Sequence, residues 1–539
     1  MRTLVVLLLL SFSVEARAAG SKPKAEKTKA SAEHSSSAAF SGKLLVVPMD
    51  GSHWVGIKAI AQELGRRGHK VTVVIPEVSM RMGPGKHYDT LTHTVPYGQD
   101  HIDAIMSMHK DVLKTNQPFM ERMQVKYNQI LKIVDFIHVT AESLLLNETY
   151  ISYLAQQEFD AVLTDPMVPT GALIARKLGL PIINLLRGIP CSLDMKSAGC
   201  PSPPSFVPRF FTGLSDKMNF KERVINTLVA LIEPLFCRLL YWRFNNIAHQ
   251  FLNEEVSVAE VLSDSDIWLL RIDFTLEFPR PLMPNMILVG GINCDLRKPL
   301  PKNLEQWVSG KHGFIVFTLG SAIADMPEEI TSVFLEAFRQ IPQTVIWRYT
   351  GMVPDNIPKN IKLMKWVPQN DLLAHPGARA FITHAGSHGT FEGLCHGVPM
   401  LMVPIAGDQP DNAARMENRG VGVVLDITTM TTESLLQGLN EVINDTRYKE
   451  NIQRLSALHK DRPVDPLELS VFWTEFVMRH KGAKHLKAAV HDLSWINYRK
   501  SPKSLSDLYA LVYWSFNSFS LLIADLTVTA DVVLQHKAE

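Results

Sequence analysis

The sequence predicts an α/β protein of parallel sheets, built as two successive series of strands and helices. Three observations carry that expectation. Short apolar runs alternate with amphipathic stretches from residue 43 onward, the pattern breaks in a Pro-rich coil and restarts, and the unusual polar residues fall just past the apolar runs. KLLVVP (43–48) reads as a buried strand. WVGIKAIAQELGRRG (54–68) sets Val55, Ala59, Ile60 and Leu64 at helical spacing, and KVTVVIP (70–76) is the next strand. FDAVLT (159–164), GALIARKLG (171–179) and PIINLL (181–186) repeat the order, which implies parallel βαβ units with right-handed crossovers. PRPLMPN (279–285), VGGINC and RKPLPKN (297–303) form the coil-like break. The second series runs GFIVFTLG (313–320), TVIW (344–347), RAFIT (379–383), PMLMVP (399–404) and VGVVLD (421–426). The expected division is an N-terminal domain at 41–295, a linker at 296–311 and a second domain at 312–463. A helical segment at 464–494 then packs back on the interface.

At 539 residues the chain exceeds the size at which one hydrophobic core keeps growing, in keeping with two domains. Apolar residues make up 46% and charged residues 20%, which excludes a mostly disordered chain, a collagen-like chain and a polytopic membrane protein. Lys and Arg number 55 against 54 for Asp and Glu, and the resulting charge of +1 argues against nucleic acid as a partner. The five cysteines are too few for a disulfide-dense scaffold, and none is spaced as CxxC, so no structural zinc site is expected. Buried thiols are the favoured reading, with a Cys191–Cys200 bridge as the alternative.

The first residues, Met1-Arg2-Thr3, then LVVLLLL, then small residues at Ala16 and Ala18, read as a secretory signal peptide over 1–19. Lys, Ser and Ala dominate residues 20–40, a disordered linker. Two sequons, at Asn147 and Asn444, agree with entry into the secretory pathway. Near the other end, LYALVYWSFNSFSLLI (508–523) is apolar, yet shorter than the roughly 20 residues of a spanning helix. An interfacial segment and a docked terminal helix both remain open for it.

In open parallel sheets, ligands sit beyond the carboxyl ends of the strands. Asp50-Gly51-Ser52-His53-Trp54 follows the first strand, and Asp165-Pro166 follows the strand at 159–164. Gly320-Ser321, the run His384 to Gly389, and Gly407-Asp408-Gln409 hold the same position in the second series, so all are expected to face one crevice. THAGSHGTFEGLCHG (383–397) is a Gly-containing turn feeding a helix, which presents backbone N–H groups and the positive end of the helix dipole to an anion. Gly386 and Gly389 allow close approach, and His384 and His388 add donors suited to a diphosphate. The plainer alternative is a turn beside core histidines. Neither a GK[ST] loop nor a GxGxxG fingerprint is present. His53 with Asp165 suits a general base oriented by a buried carboxylate, although either residue alone reads better as a helix start or an N-cap. Asp264-Ser265-Asp266 matches the DxD that holds a divalent ion, but it stands away from the strand-end cluster and reads as a solvated turn. No metal is assigned.

WVPQNDLLAHPGARAFITHAGSHGTFEGLCHGVPMLMVPIAGDQPDNAARM (366–416) resembles the signature region of the UDP-glycosyltransferases. DGSHW (50–54), LTDP (163–166), RGIPCSL (187–193), PRPLMPN (279–285), FTLGSA (317–322) and FVMRHKGAKHL (476–486) extend the resemblance to the vertebrate UDP-glucuronosyltransferases, and to the branch that handles phenols and bilirubin. The resemblance implies a GT-B fold, with two Rossmann-like domains facing a central cleft. It makes His53 the base and Asp165 its partner, Trp366 the uracil stack, and Gln369 and Glu392 the ribose contacts. Ser321, His384, Gly386 and His388 meet the phosphates, Asp408 and Gln409 the sugar hydroxyls, and Arg271 the glucuronate carboxylate. The implied activity is inverting transfer from UDP-glucuronic acid, as co-substrate and with no bound cofactor, to a hydroxyl of a small lipophilic acceptor. UDP-glucose or UDP-N-acetylglucosamine as donor, and a non-catalytic subunit regulating family members, are the rival readings. The family further implies the lumen of the endoplasmic reticulum, membrane association, and oligomers with itself or its relatives. Residues 495–539 depart from the family's membrane helix and Lys-rich tail, which leaves the anchor open.

Overall fold

The computed structural model describes residues 40–489, except for 109–112, 114–118, 189–192, 296, 321, 322 and 324. The expected signal peptide, nearly all of the linker after it, the tail from 495 with its apolar segment at 508–523, Cys191 and Ser321 lie outside the described residues.

Two parallel sheets organise the chain from Ser41 onward. The first holds β1 (Lys43–Val47), β2 (Lys70–Pro76), β3 (Asp89–His93), β4 (Ala161–Thr164), β5 (Ile182–Leu186), β6 (Ile267–Leu270) and β7 (Met286–Leu288), in the order β3-β2-β1-β4-β5-β6-β7. The second holds β8 (Phe314–Thr318), β9 (Thr344–Arg348), β10 (Ile361–Met364), β11 (Ala378–Thr383), β12 (Met400–Met402) and β13 (Gly422–Val424), in the order β10-β9-β8-β11-β12-β13. Parallel strands covered by helices on both faces need continuous apolar sequence. In β1, Leu44 and Val46 pack into one apolar cluster and Leu45 and Val47 into another, so both faces are covered. Phe317, Phe334, Phe338 and Trp347 stack on one face of the second sheet, with ring centroids 4.5 to 6.0 Å apart.

Several expectations need correction. The stretch at 279–303 is not all coil. Met286, Ile287 and Leu288 pair in register with Trp268, Leu269 and Leu270, and the expected linker contains a helix, Lys302–Val308. Two long helices, Phe119–Leu145 and Phe220–Leu252, cover part of the first sheet's sequence. Cys294 and Cys395 are not buried thiols but form a disulfide, and Cys237 is disulfide-bonded as well. Cys200 is buried, its sulfur 3.2 Å from Pro281 O. The DxD turn is solvated only at Asp264, which pairs with Arg176 (2.9 Å). Ser265 and Asp266 are buried, and the Asp266 carboxylate accepts from the backbone N–H groups of Ile182 (3.2 Å) and Ala483 (2.8 Å). That aspartate is a structural anchor.

The helix Pro466–His480 returns from the second sheet to lie on the first, where Val471, Val477 and Met478 join the cluster that contains Leu44 and Val46. Of the two sequons, Asn444 is exposed, while Asn147 caps the helix Glu148–Gln156 by accepting from Tyr150 N at 3.0 Å.

Candidate functional site

Strand register decides which loops meet. Chain order reverses between β1 and β4 in the first sheet, and between β8 and β11 in the second; crevices at such points bind ligands. Val47 is in register with Thr164, so the segments leaving β1 and β4 emerge side by side. His53, at the start of the helix His53–Arg66, thereby reaches Asp165, with Nδ1 to Oδ2 at 2.6 Å. Asp165 is 2% exposed, and its other oxygen accepts from Met167 N at 2.9 Å, which fixes the carboxylate. Because Nδ1 is engaged, Nε2 is the ring nitrogen left for a substrate.

Thr318 of β8 is in register with Thr383 of β11, which brings Gly320 beside His384. The His384 ring packs between two glycines: a Cβ on Gly386 would come within 2.6 Å of the ring, and one on Gly320 would also collide with it. Gly386 is the N-cap of the helix Ser387–His396, the N-terminus expected to meet an anion. Within that helix Glu392 is half-buried, and desolvation raises its carboxyl to about 7 despite a hydrogen bond from Gln369 Nε2 at 2.5 Å. Gln369 in turn accepts from Thr318 Oγ1. Trp366 is more than half exposed, and the guanidinium groups of Arg81 and Arg348 lie 4.9 and 5.4 Å from its ring centroid.

At the other end of the cleft, Gln409 Oε1 accepts from Ile405 N (2.8 Å) and Ala406 N (3.0 Å), leaving its amide N–H groups for another partner. Asp408 pairs with Arg187 at 2.7 Å, and although burial opposes ionisation, Arg187 and Asn412 hold its carboxyl below the usual range. Arg271 is buried, and burial draws its guanidinium down to about 10, so it stays cationic at neutral pH. It abuts His388. His388 Nδ1 faces Asn293 Nδ2 (3.3 Å), and its Nε2 faces both Arg271 Nη1 and Ser52 O (3.0 Å). Burial and the Arg271 charge push His388 well below the ordinary histidine range, so it is neutral.

These loops enclose one cleft of about 670 Å³. His53, Arg271, Trp366, Gln369, His384, Gly386, His388, Glu392, Asp408 and Gln409 all line it; Asp165 sits behind His53, and Ser321 lies outside the described residues. Sequence reasoning missed three lining arginines, Arg81, Arg187 and Arg348. Arg187 follows β5 directly and Arg348 ends β9, so the strand-end rule that singled out His53 applies to both. Among the described residues, Cys294, Cys395 and His459 form a grouping with metal-ligand atoms, but its two sulfurs are joined to each other.

Most of the chain is similar to known proteins. The family model described as "UDP-glucoronosyl and UDP-glucosyl transferase" matches residues 42–513. UDP-glucuronosyltransferase 1A1 of Rattus norvegicus is 47% identical over 464 residues, which are 86% of this chain and 87% of that protein. UDP-glucuronosyltransferase 1A6 of Homo sapiens is 47% identical over 458 residues, 85% of this chain and 86% of its own length. Among solved structures, spinosyn forosaminyltransferase SpnP superposes with a TM-score of 0.55 at 18% identity, covering 82% of this chain and 100% of that one. The likeness to SpnP is one of fold, and the two-sheet architecture is GT-B as expected.

Proposed function

The chain belongs to the UDP-glucuronosyl and UDP-glucosyl transferase family, and from that membership and the cleft we propose that it transfers glucuronic acid from UDP-glucuronate to a hydroxyl of small lipophilic acceptors, with inversion. One observation carries the mechanistic reading: a histidine oriented by a buried carboxylate lines the same cleft as a Gly-bounded helix N-terminus from the other sheet. His53 Nε2 takes the acceptor's hydroxyl proton as that oxygen bonds to the anomeric carbon, and Asp165 stabilises the imidazolium that forms. The bond from the anomeric carbon to the phosphate oxygen breaks on the opposite face. UDP leaves with the electron pair, its charge met by the N–H groups and dipole at Gly386 and by His384. Attack on the α-linked donor gives a β-glucuronide.

Trp366 offers the flat face for uracil, Gln369 and Glu392 the ribose contacts, and Asp408 and Gln409 the sugar contacts. The buried cation of Arg271 supports a donor with a carboxylate over a neutral sugar. The signal-like start and the exposed Asn444 support a lumenal setting in the endoplasmic reticulum.

A donor panel on membranes expressing the full chain, with a simple phenol as acceptor, tests the reading. Product is expected from UDP-glucuronate, and His53→Ala is expected to lose roughly 10²- to 10⁴-fold in kcat while keeping its affinity for UDP. Product from UDP-glucose or UDP-N-acetylglucosamine alone would overturn the donor assignment, and equal loss of UDP binding in His53→Ala would overturn the division of roles between the sheets.

A further inference from the structure

Asp408, read above as a sugar contact, is held by a residue of the other sheet. Arg187 leaves the carboxyl end of β5 in the first sheet, whereas Asp408 opens the helix Gln409–Asn418 that follows β12 of the second. Arg187 Nη1 donates to Asp408 Oδ2 at 2.7 Å, and Arg187 Nη2 donates to Asn412 Oδ1. Asn412 Nδ2 closes the triangle on the same Oδ2 at 3.0 Å and also donates to Ala385 O at 2.8 Å, in the loop that carries His384. Both donors converge on one carboxylate oxygen, which leaves Oδ1 as the oxygen available to a ligand.

Other ties fasten the same helix to the acceptor side. Asp411 accepts from Phe211 N (2.8 Å) and Gly213 N (2.9 Å), and Arg415 pairs with Glu277 at 2.6 Å. Neither Asp411 nor Arg415 lines the cleft, whereas Arg187 and Asp408 both do. Arg187 is therefore the tie that ends on the carboxylate facing the sugar.

We propose that Arg187 is a positioning residue for the donor sugar: reaching across from the acceptor-side sheet, it fixes Asp408 so that Oδ1 faces the sugar hydroxyls. Approach of the two sheets and recognition of the sugar then form one coupled event. This rests on the reading of Asp408 as a sugar contact. It separates the two halves of the donor, because the uridine and phosphate contacts come from the second sheet alone and do not need Arg187. It also separates Arg187 from Arg271, which has no ion pair with Asp408 and is the cation offered to the sugar's own carboxylate.

The test is a double-mutant cycle read by equilibrium binding of UDP-glucuronate, UDP-glucose and UDP to the full chain. Arg187→Met is expected to weaken both UDP-sugars by roughly tenfold and UDP by less than about twofold, the size of effect measured when residues in one hydrogen-bonded network are uncoupled. Asp408→Asn should do the same, and the double variant should bind no worse than Asp408→Asn alone. Arg187→Lys should recover part of the loss, since lysine restores the charge without the two-pronged geometry. Retained UDP binding reports that each variant is folded; if Arg187→Met binds no UDP, Arg187→Lys replaces it in the cycle. Additive losses in the double variant, or equal weakening of UDP and UDP-sugars, overturn the proposal. A loss confined to UDP-glucuronate also overturns it, in favour of a direct contact between Arg187 and the sugar carboxylate. Wild-type protein that binds UDP-sugars but turns none over would instead refute the proposed activity and leave this cycle readable.

Discussion

Burial at single residues sets how the site answers to pH, and Glu392 is the clearest case. Its carboxyl is raised to about 7 by burial, against the stabilising hydrogen bond from Gln369. A carboxyl raised in the folded state binds its proton more tightly than in the unfolded chain. Its contribution to stability is therefore complete below the unfolded value of about 4.3 and is lost as pH rises through about 7. Ligand binding should run the other way. An ionised carboxylate accepts two ribose hydroxyls, whereas the acid spends one oxygen on its own proton. UDP affinity is thus expected to rise by roughly tenfold between pH 6 and pH 8, about the worth of one charge-assisted hydrogen bond. Glu392→Gln should flatten that profile, as titration calorimetry at three pH values would show; a variant that kept the wild-type slope would place the titration elsewhere. Sequence reasoning reaches Glu392 only through the family signature, because a lone glutamate in a helix gives no sign that it will be desolvated at a cleft.

Element boundaries place these residues, and here legibility was uneven. Strands buried on both faces, such as KVTVVIP and IINLL, were readable because nothing but parallel-sheet packing needs such runs. β3 (DTLTH) and the three-residue β7 were not, since an edge strand alternates polar residues and a very short strand has no period. The strand-end rule locates His53, Asp165 and His384, whereas Arg187 and Arg348 at equivalent positions carry no mark that sets them apart from an ordinary solvated arginine. The turn before the helix Ser387–His396 shows what a glycine is for. Gly386 has an extended backbone (φ −65°, ψ 145°), so any residue could adopt its conformation; the restriction is space, since a Cβ would lie 2.6 Å from the His384 ring. Gly386→Ala is therefore expected to displace His384 and raise the donor KM by roughly tenfold, about 1.4 kcal/mol of lost binding, with little change in thermal midpoint. Unchanged donor kinetics would mean that the ring yields without cost and that His384 is not held for the donor.

Across the whole molecule, the two halves were legible as separate α/β series, but what fastens them was not. Ion pairs between Arg187 and Asp408, or Arg415 and Glu277, join residues 221 and 138 positions apart, and no local pattern announces them. The same holds for the Cys294–Cys395 disulfide, which pairs residues separated by 101 positions, a spacing that no local motif marks. Cys294 follows β7, the edge strand of the first sheet, and Cys395 sits in the helix that carries Glu392 and His388. The bridge thus ties the passage between the sheets to the donor-side helix. A loop of about 100 residues closed in the unfolded chain is worth up to about 4.7 kcal/mol by chain entropy alone. Replacing both cysteines by alanine is expected to lower the thermal midpoint by several degrees. Because Cys237 is disulfide-bonded too, reductant should lower the wild-type midpoint further than the double substitution does, and should still lower that of the double variant. UDP affinity should fall with the bridge, since the helix bearing Glu392 loses its anchor to the segment after β7. Differential scanning calorimetry of the two proteins, with and without reductant and UDP, separates these effects. Identical midpoints in the absence of reductant would show that the apolar cluster around Phe391 and Leu394, and not the covalent bond, fixes the helix.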